Sequence, residues 1–383
     1  MNRIQLLDIL RGFAIIGTLG TNIWLFAHLG NLEAIFPDPS LHWWSSLDSI
    51  ISTIVMFLVN GKFLGMLTIM FGVGLEMKRR KAERLGTAWP GIYLWTSFLL
   101  LVDGLLHYFL VMQFDILMSY AVTAIIVSFV VNRTRKTIIR VMLFTGIVHS
   151  FMVISAFSLI TLANASVSTG DAFKSVIALF QTGTWFEQIG YRFETFWMYR
   201  FESIAILPMN VFLFLCGVLL FRSGAFAADT NGQAIRRKML GWGLGLGIPL
   251  NMLIFVPGLS FDIPVRYLFA PVLSLGYIAI IAKVMELSRC GWLLSSLEEV
   301  GKTALSCYML QNILASVIFY GWGFGVGATS GSSLFTFFIW GLISALMMVS
   351  AHLWLRKFTV GPMEWAWRRL SDLPADRKRS LTG

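Results

Sequence analysis

The 383-residue sequence contains little charge and little cysteine. Only 13% of its residues are charged, whereas 57% are hydrophobic and 14% are aromatic. That composition is too apolar for an ordinary soluble domain, so we expect the lipid bilayer to surround most of the chain. The three cysteines, Cys216, Cys290 and Cys307, lack the spacing of metal ligands. Neither a disulfide framework nor a metal site is therefore predicted.

The basic residues are not gathered on one soluble face. The formal net charge is +10, and a nucleic-acid-binding protein would concentrate such charge in one contiguous patch. Here the lysines and arginines form short clusters between long apolar segments, as the positive-inside rule describes. The sequence therefore predicts a membrane protein without a nucleic-acid partner.

Apolar segments long enough to cross a bilayer recur along the whole chain. Since a crossing helix needs about 20 mainly apolar residues, the sequence predicts an all-α, polytopic bundle of about ten transmembrane helices. They form a single transmembrane domain, residues 1–370, followed by a tail, residues 371–383. The predicted spans are residues 6–27, 47–76, 90–112, 115–132, 138–162, 203–221, 239–257, 264–287, 303–321 and 334–355.

The second predicted span is too long for one straight helix. Asn60, Gly61 and Lys62 lie near its middle. A glycine between polar residues at this depth predicts a broken helix, whose freed backbone groups would need protein or water partners.

The alternation of basic connectors predicts the orientation of the bundle. Basic clusters at 78–84 and 133–140 lie in alternate connectors, and those at 222–238 and 356–379 continue the pattern. Because cytoplasmic connectors are rich in Lys and Arg, both termini are predicted to be cytoplasmic. The connector at 163–202 then lies outside, and its mixture of charged and aromatic residues predicts an interfacial loop that covers a cavity mouth.

Ionisable residues within apolar spans are candidates for a functional site, because a charge in lipid is costly unless it faces a cavity or a partner. Asp8 and Arg11 lie three residues apart at the inner end of the first span. They either form an interfacial ion pair or help to bind an anionic cofactor. Lys62, beside the predicted break, is expected to face a cavity.

Asp103 and His107 are four residues apart, and Asp115 follows after a tight turn. A carboxylate that orients an imidazole is a common arrangement for general base catalysis. The alternative is a buried polar network that connects the third and fourth spans. The sequence does not decide whether Asp103 or Asp115 pairs with His107.

A further set of polar residues within spans comprises His149, Gln311, Asn312 and His352. Hydrogen bonds between helices explain these residues more simply than chemistry does, so the sequence assigns them no catalytic role.

Several segments resemble the YeiB-like family of bacterial membrane proteins. They are LDILRGFA at 7–14 with Asn22; Lys62 and Phe63 followed by FGVG at 71–74; GLLH at 104–107 with DIL at 115–117 and Tyr120; GKTALSCYMLQ at 301–311; and GPMEWAWR at 361–368. The resemblance implies a multi-pass protein of the bacterial plasma (inner) membrane, with a homodimer as a candidate assembly.

That family is similar to the transmembrane acyltransferase superfamily, which includes lysosomal heparan glucosaminide acetyltransferases and bacterial enzymes that decorate surface sugars. The resemblance implies transfer of an acyl group from cytoplasmic acyl-CoA, the donor substrate, to a small-molecule or glycan acceptor at the extracytoplasmic face. Two positions depart from the pattern. Asn22 stands where the sugar-decorating enzymes have a catalytic histidine. Asp103 occupies a position at which the family usually has an apolar residue.

On this hypothesis, His107 activates the acceptor, oriented by Asp103 or Asp115, and Lys62 stabilises the oxyanion. The residues expected to hold the coenzyme phosphates are Asp8, Arg11, Arg79 and Arg80. A transporter or permease for a small polar metabolite is the alternative, because a broken second span places freed backbone groups at mid-membrane. Whether the protein is an enzyme stays open at this point.

Overall fold

The computed structural model describes residues 4–36, 42–163, 171–287, 291–328 and 332–382. Cys290 and part of the predicted outer loop lie outside these ranges. Every regular element within them is helical, which confirms the all-α prediction.

The first half of the chain forms nine of the helices. They are α1 (Gln5–Ala27), α2 (Leu47–Val59), α3 (Lys62–Arg84), α4 (Ile92–Leu110), α5 (Leu117–Val130), α6 (Arg135–Leu162), α7 (Asp171–Thr182), α8 (Trp185–Glu194) and α9 (Phe196–Ala205). The second half continues with α10 (Leu207–Arg222), α11 (Thr230–Gly245), α12 (Gly247–Asn251), α13 (Asp262–Pro264), α14 (Ala270–Glu286), α15 (Gly291–Lys302), α16 (Ala304–Phe319), α17 (Ser333–Leu355) and α18 (Pro362–Thr382).

Within the described residues, seven helical segments are long and apolar enough to cross a membrane. They are Gln5–Ala27, Leu47–Arg84, Ile92–Leu110, Arg135–Leu162, Thr230–Phe255, Asp262–Glu286 and Ser333–Leu355. An eighth is formed if α9 and α10, which meet at 45°, are taken as one bent span. The fourth and ninth predicted spans correspond to α5 and α16, which have only 14 and 16 residues. The fold is a polytopic helical bundle, but the count of ten spans is not confirmed.

The predicted break in the second span is confirmed. Helix α2 ends at Val59, and α3 begins at Lys62. Gly61 has a φ of +79°, which lies in the left-handed region that favours glycine. A Cβ atom at Gly61 would also lie only 2.5 Å from the carbonyl oxygen of Arg266. Both the turn and the close approach of the neighbouring chain therefore require a glycine here.

Glycines also allow two helix pairs to touch through their backbones. A Cβ atom at Gly301 of α15 would lie 1.8 Å from the carbonyl oxygen of Asp8, and one at Gly12 would clash with the backbone of α15. Gly72 of α3 and Gly217 of α10 make the corresponding approach between those helices. In a bilayer, close packing of this kind is a main source of helix association. It fixes α1 and α3, which carry several of the predicted site residues.

We call one end of the bundle the basic end. Helices α3 and α10 end there, and helices α4 and α16 begin there. There the Glu364 carboxylate of α18 accepts hydrogen bonds from the backbone N–H of Leu305 at 2.7 Å and from the Ser306 hydroxyl at 2.5 Å. A carboxylate at a helix N-terminus satisfies unpaired N–H groups and interacts favourably with the helix dipole. Glu364 therefore caps α16 and connects the last helix to the bundle.

The segment predicted as an outer interfacial loop contains α7, α8 and most of α9. Phe186 and Trp197 are largely exposed, with relative exposures of 76% and 77%. Arg192, in contrast, is buried and donates to the carbonyl oxygens of Phe109 at 2.9 Å and Val111 at 3.1 Å. These bonds hold α8 over the end of α4.

Candidate functional site

His107 of α4 and Asp115 of the following turn form the centre of a buried polar cluster. Nδ1 of His107 lies 2.9 Å from Oδ1 of Asp115, and both side chains are almost completely inaccessible. Asp115 also accepts hydrogen bonds from the Tyr308 hydroxyl at 3.1 Å and from the backbone N–H of Leu117 at 2.9 Å. The hydrogen-bond partner of His107 is therefore Asp115 and not Asp103.

Two helices position Asp115. Gly104 of α4 makes room for it, because a Cβ atom there would lie 2.7 Å from the backbone nitrogen of Met118 and 3.1 Å from Oδ2 of Asp115. Arg200 of α9 donates to the carbonyl oxygens of Gln113 at 2.5 Å and Asp115 at 3.1 Å. The turn between α4 and α5 is thus held from both sides.

The second imidazole nitrogen faces Asn312, which in turn contacts Asn22. Nδ2 of Asn312 lies 3.3 Å from Nε2 of His107, and Nδ2 of Asn22 lies 3.4 Å from Oδ1 of Asn312. Since an amide nitrogen can only donate, Nε2 accepts and the ring proton resides on Nδ1, facing Asp115. Asn312 was predicted to act only between helices. It does connect α16 with α1 and α4, but it does so at the basic nitrogen of the site.

A partly open pocket reaches Asp115 from the side opposite the basic end. Its cavity volume is about 50 Å³. Its walls include Asn22, Gly61, Asp115, Arg200, Glu202 and Arg266. His107 and Lys62 do not contribute to its walls, so a ligand in the pocket would meet Asp115 and Asn22 before the imidazole.

Lys62 belongs to a second buried cluster, at the helix break across the pocket. Its Nζ lies 3.5 Å from the carbonyl oxygen of Met56, and its charge interacts with those of Arg266 and Asp262. The structure does not bring Lys62 into hydrogen-bonding contact with His107. Its assignment to an oxyanion therefore stays a prediction.

Asp103 lies one helical turn from His107, towards the basic end. The residue is only 8% exposed, and Oδ2 has no hydrogen-bond partner among the described residues. It interacts electrostatically with His107, Asp115 and Glu364. Asp103 is therefore next to the dyad without being part of it.

The residues predicted to hold the coenzyme lie at the basic end, in two groups. In the first, Arg11 donates to Asp8 at 3.0 Å and to the carbonyl oxygen of Gly301 at 3.4 Å. The Arg11 side chain is 36% exposed and remains accessible. The interfacial ion pair proposed from the sequence is present, and it also connects α1 with α15.

In the second group, Arg79 and Arg80 both donate to the fully buried carboxylate of Glu76, each at 3.0 Å. Arg222 of α10 joins them at 2.9 Å. This ion-pair cluster connects α3 with α10. Sequence reasoning missed Glu76, because this residue lies two positions before a basic run and resembles part of the connector. Within the described residues, no group of three or more His, Cys, Asp or Glu side chains could hold a metal ion.

The fold and the site define a multi-pass helical membrane protein with a buried histidine–carboxylate pair beside a partly open pocket. Residues 220–374 match the family described as "Protein of unknown function (DUF418)". The chain is similar to the uncharacterized protein YxaH of Bacillus subtilis (strain 168), with 27% identity over 97% of this chain and 94% of the relative. It is also 26% identical to YeiB of Escherichia coli (strain K12), over 97% of both chains. The chain is therefore similar, over nearly its whole length, to uncharacterised proteins of this YeiB-like group.

Proposed function

We propose that the protein is a membrane acyltransferase that moves an acyl group from a cytoplasmic acyl-CoA to a small-molecule or glycan acceptor at the extracytoplasmic face. The observation that carries the proposal is the 2.9 Å contact between His107 and Asp115 at the inner wall of the pocket. The positive-inside rule supports a cytoplasmic basic end and cytoplasmic termini, in a bacterial inner membrane. The resemblance of the family to transmembrane acyltransferases supports the reaction class.

The dyad has the arrangement that general base catalysis requires. Asp115 accepts a hydrogen bond from the Nδ1–H group of His107, which leaves Nε2 as the basic nitrogen. An acceptor that enters past Asn22 displaces the amide of Asn312 from Nε2 and brings its own hydroxyl or amine into that place. The acceptor then attacks the thioester carbonyl carbon, its proton passes to Nε2, and the carbon–sulfur bond breaks. Asp115 stabilises the imidazolium, and the departing thiolate finally takes a proton.

The basic end supplies positive charge for the coenzyme phosphates. Nζ of Lys78 lies over the rings of Tyr93 and Trp367, at 5.3 and 5.2 Å, and its charge interacts with that of Arg11. Arg11 and Lys78 are the groups to which we assign direct phosphate contacts. Asp8 orients Arg11 for this role. Arg79 and Arg80 already bind Glu76, so they contribute positive potential at that end.

Purified protein in lipid nanodiscs tests the proposal with radiolabelled acetyl-CoA and longer acyl-CoA thioesters. We expect acyl-CoA binding and slow release of free thiol, because water substitutes for the acceptor. His107→Ala and Asp115→Asn should each lower thiol release by about 100-fold, a typical contribution of general base catalysis. His149→Ala is the matched control, since His149 is also buried but bonds the carbonyl oxygen of Tyr267 outside the cluster. Wild-type protein that neither binds acyl-CoA nor releases thiol would overturn the proposal.

Transport of a small polar metabolite is the second candidate. The helix break at Gly61 forms part of the pocket wall, together with Arg200 and Arg266, so freed backbone and charge meet at one place. A panel of labelled sugars and amino acids in proteoliposomes tests this function. Flux in the absence of acyl-CoA would favour transport, whereas no flux under an imposed gradient would rule it out for that panel.

A further inference from the structure

The pairing of His107 with Asp115 leaves a buried carboxylate unused. Asp103 lies one turn below the imidazole, and its Oδ2 has no hydrogen-bond partner in the described part of the chain. Buried polar atoms in native proteins are nearly always bonded to protein or to ordered water. The unbonded carboxylate oxygen of Asp103 is therefore a candidate partner for an ordered water molecule beside the dyad.

A second buried side chain near the dyad also lacks partners. Gln311 of α16 is fully buried, yet neither Oε1 nor Nε2 is hydrogen-bonded to a described residue. Its neighbours on α16 are Tyr308, one turn before it and on the same side of the helix, and Asn312, the next residue in the chain. Those neighbours bond Asp115 and His107 respectively. Water is the simplest partner for an amide with both its donor and its acceptor free.

Titratable groups continue from the dyad to the basic end. The groups that interact electrostatically with Asp103 are His107 on its own helix, Asp115 in the next turn and Glu364 on α18. Glu364 in turn binds the first turn of α16 at the basic end. The four side chains therefore form a row that begins at the pocket wall and ends where the coenzyme is proposed to bind.

We propose that Asp103 is a proton-relay residue, which passes the proton from His107 through water held near Gln311 towards the basic end. The inference rests on the proposed acyl transfer, in which the thiolate withdraws with its coenzyme towards the basic end before it takes up a proton. The acceptor O–H or N–H bond breaks, and an N–H bond forms at Nε2. Once the acylated acceptor has left Nε2, that proton passes by way of water and Asp103 to the thiolate and forms the S–H bond of the free thiol. No net proton is taken up or released.

Radiolytic hydroxyl labelling, read by mass spectrometry, tests the water site independently of any activity. Tyr308 is nearly inaccessible, with 3% exposure, yet should be labelled several-fold faster than Tyr120, which is buried against α3. Asp103→Leu fills the site and should lower the labelling of Tyr308 to the rate of Tyr120. Tyr199 of the pocket wall serves as the internal control and should not change. Equal labelling of Tyr308 in wild type and variant overturns the water site.

If Asp103→Leu does not fold, Gln311→Leu provides the same test from the other side of the water. The relay itself is tested by kinetics of Asp103→Asn. We expect kcat to fall by about tenfold or more, with a larger solvent deuterium isotope effect and a KM for acyl-CoA within about twofold of wild type. Asp103→Glu should restore most of the rate. An unchanged kcat overturns the relay, whereas wild-type protein without any transfer overturns the proposed function and leaves the labelling result standing.

Discussion

Asn312 and His107 meet through the asparagine Nδ2 and the imidazole Nε2, 3.3 Å apart. With Asp115 on Nδ1, the ring is bonded at both nitrogens, and its tautomer is fixed by partners from two different elements. Nε2 is therefore basic but shielded. Any molecule that is to bond Nε2 must first replace the asparagine amide.

We expect Asn312→Leu to expose Nε2 and to raise the rate at which diethylpyrocarbonate modifies His107 by several-fold, as mapped by mass spectrometry. Loss of the buried hydrogen bonds should also lower the free energy of unfolding by about 1–3 kcal/mol. The control is Asn210→Leu, which removes a fully buried amide that donates to Ser119 at 2.8 Å. Similar His107 reactivity in both variants would contradict the shielding role.

Glu76→Gln should destabilise the bundle strongly, because Arg79, Arg80 and Arg222 would lose a common buried carboxylate. The expected loss is about 3 kcal/mol in the free energy of unfolding, near the lower limit for breaking a buried ion pair. Denaturation in increasing dodecyl sulfate provides the measurement. Glu83→Gln serves as control, because Glu83 is 68% exposed and an exposed pair contributes about 1 kcal/mol or less. A Glu76 variant as stable as the Glu83 variant would show that the cluster does not hold α3 to α10.

Gly301→Ala should separate α1 from α15, because the added methyl group would overlap the carbonyl oxygen of Asp8. Overpacking of this kind typically lowers the free energy of unfolding by about 1–3 kcal/mol. Gly341→Ala is the matched helical control, since a Cβ atom there meets nothing within 4 Å. It should be neutral or stabilising by up to about 1 kcal/mol, owing to the helix propensity of alanine. Thermal unfolding in detergent distinguishes the two variants, and equal midpoints would refute the backbone contact.

Glu364→Ala removes the cap of α16 and should release α18. We expect the free energy of unfolding to fall by about 1–2 kcal/mol, which is comparable to the loss of other N-terminal caps. Trypsin should then cleave at Arg368 and Arg369 earlier than in the wild type. Asp372→Asn, which changes an exposed carboxylate on the same helix, should leave the cleavage pattern unchanged.

The hydropathy of the sequence was sufficient to predict the helical class and the break in the second span. Long apolar segments have few alternatives in a bilayer, and Asn60 followed by Gly61 indicates a turn without tertiary information. The number of spans was harder to predict. Helices α5 and α16 are shorter than a full crossing, and where a helix ends depends on caps and neighbours that hydropathy does not contain.

The candidate site was predicted in part. His107, Asp103 and Asp115 stand out because ionisable residues are rare in apolar spans. Their pairing could not be predicted, since Asp115 reaches the imidazole only because Gly104 admits the following turn and Arg200 holds it. Asn312 was assigned no chemistry because a neutral amide on one helix gives no sign of the side chain it faces. The catalytic roles themselves stay predictions.

The contact between Arg11 and Gly301 joins residues that are 290 positions apart in the chain. At roughly 5–20 residues per second, a ribosome takes about 15–60 s to synthesise the intervening segment. Throughout that time α1 lies in the bilayer without α15, the helix that it contacts in the folded protein. Mutations on α15 should therefore act late in biogenesis, after most helices have been inserted, and a chain that stalls before Gly301 would leave this helix to quality-control proteases.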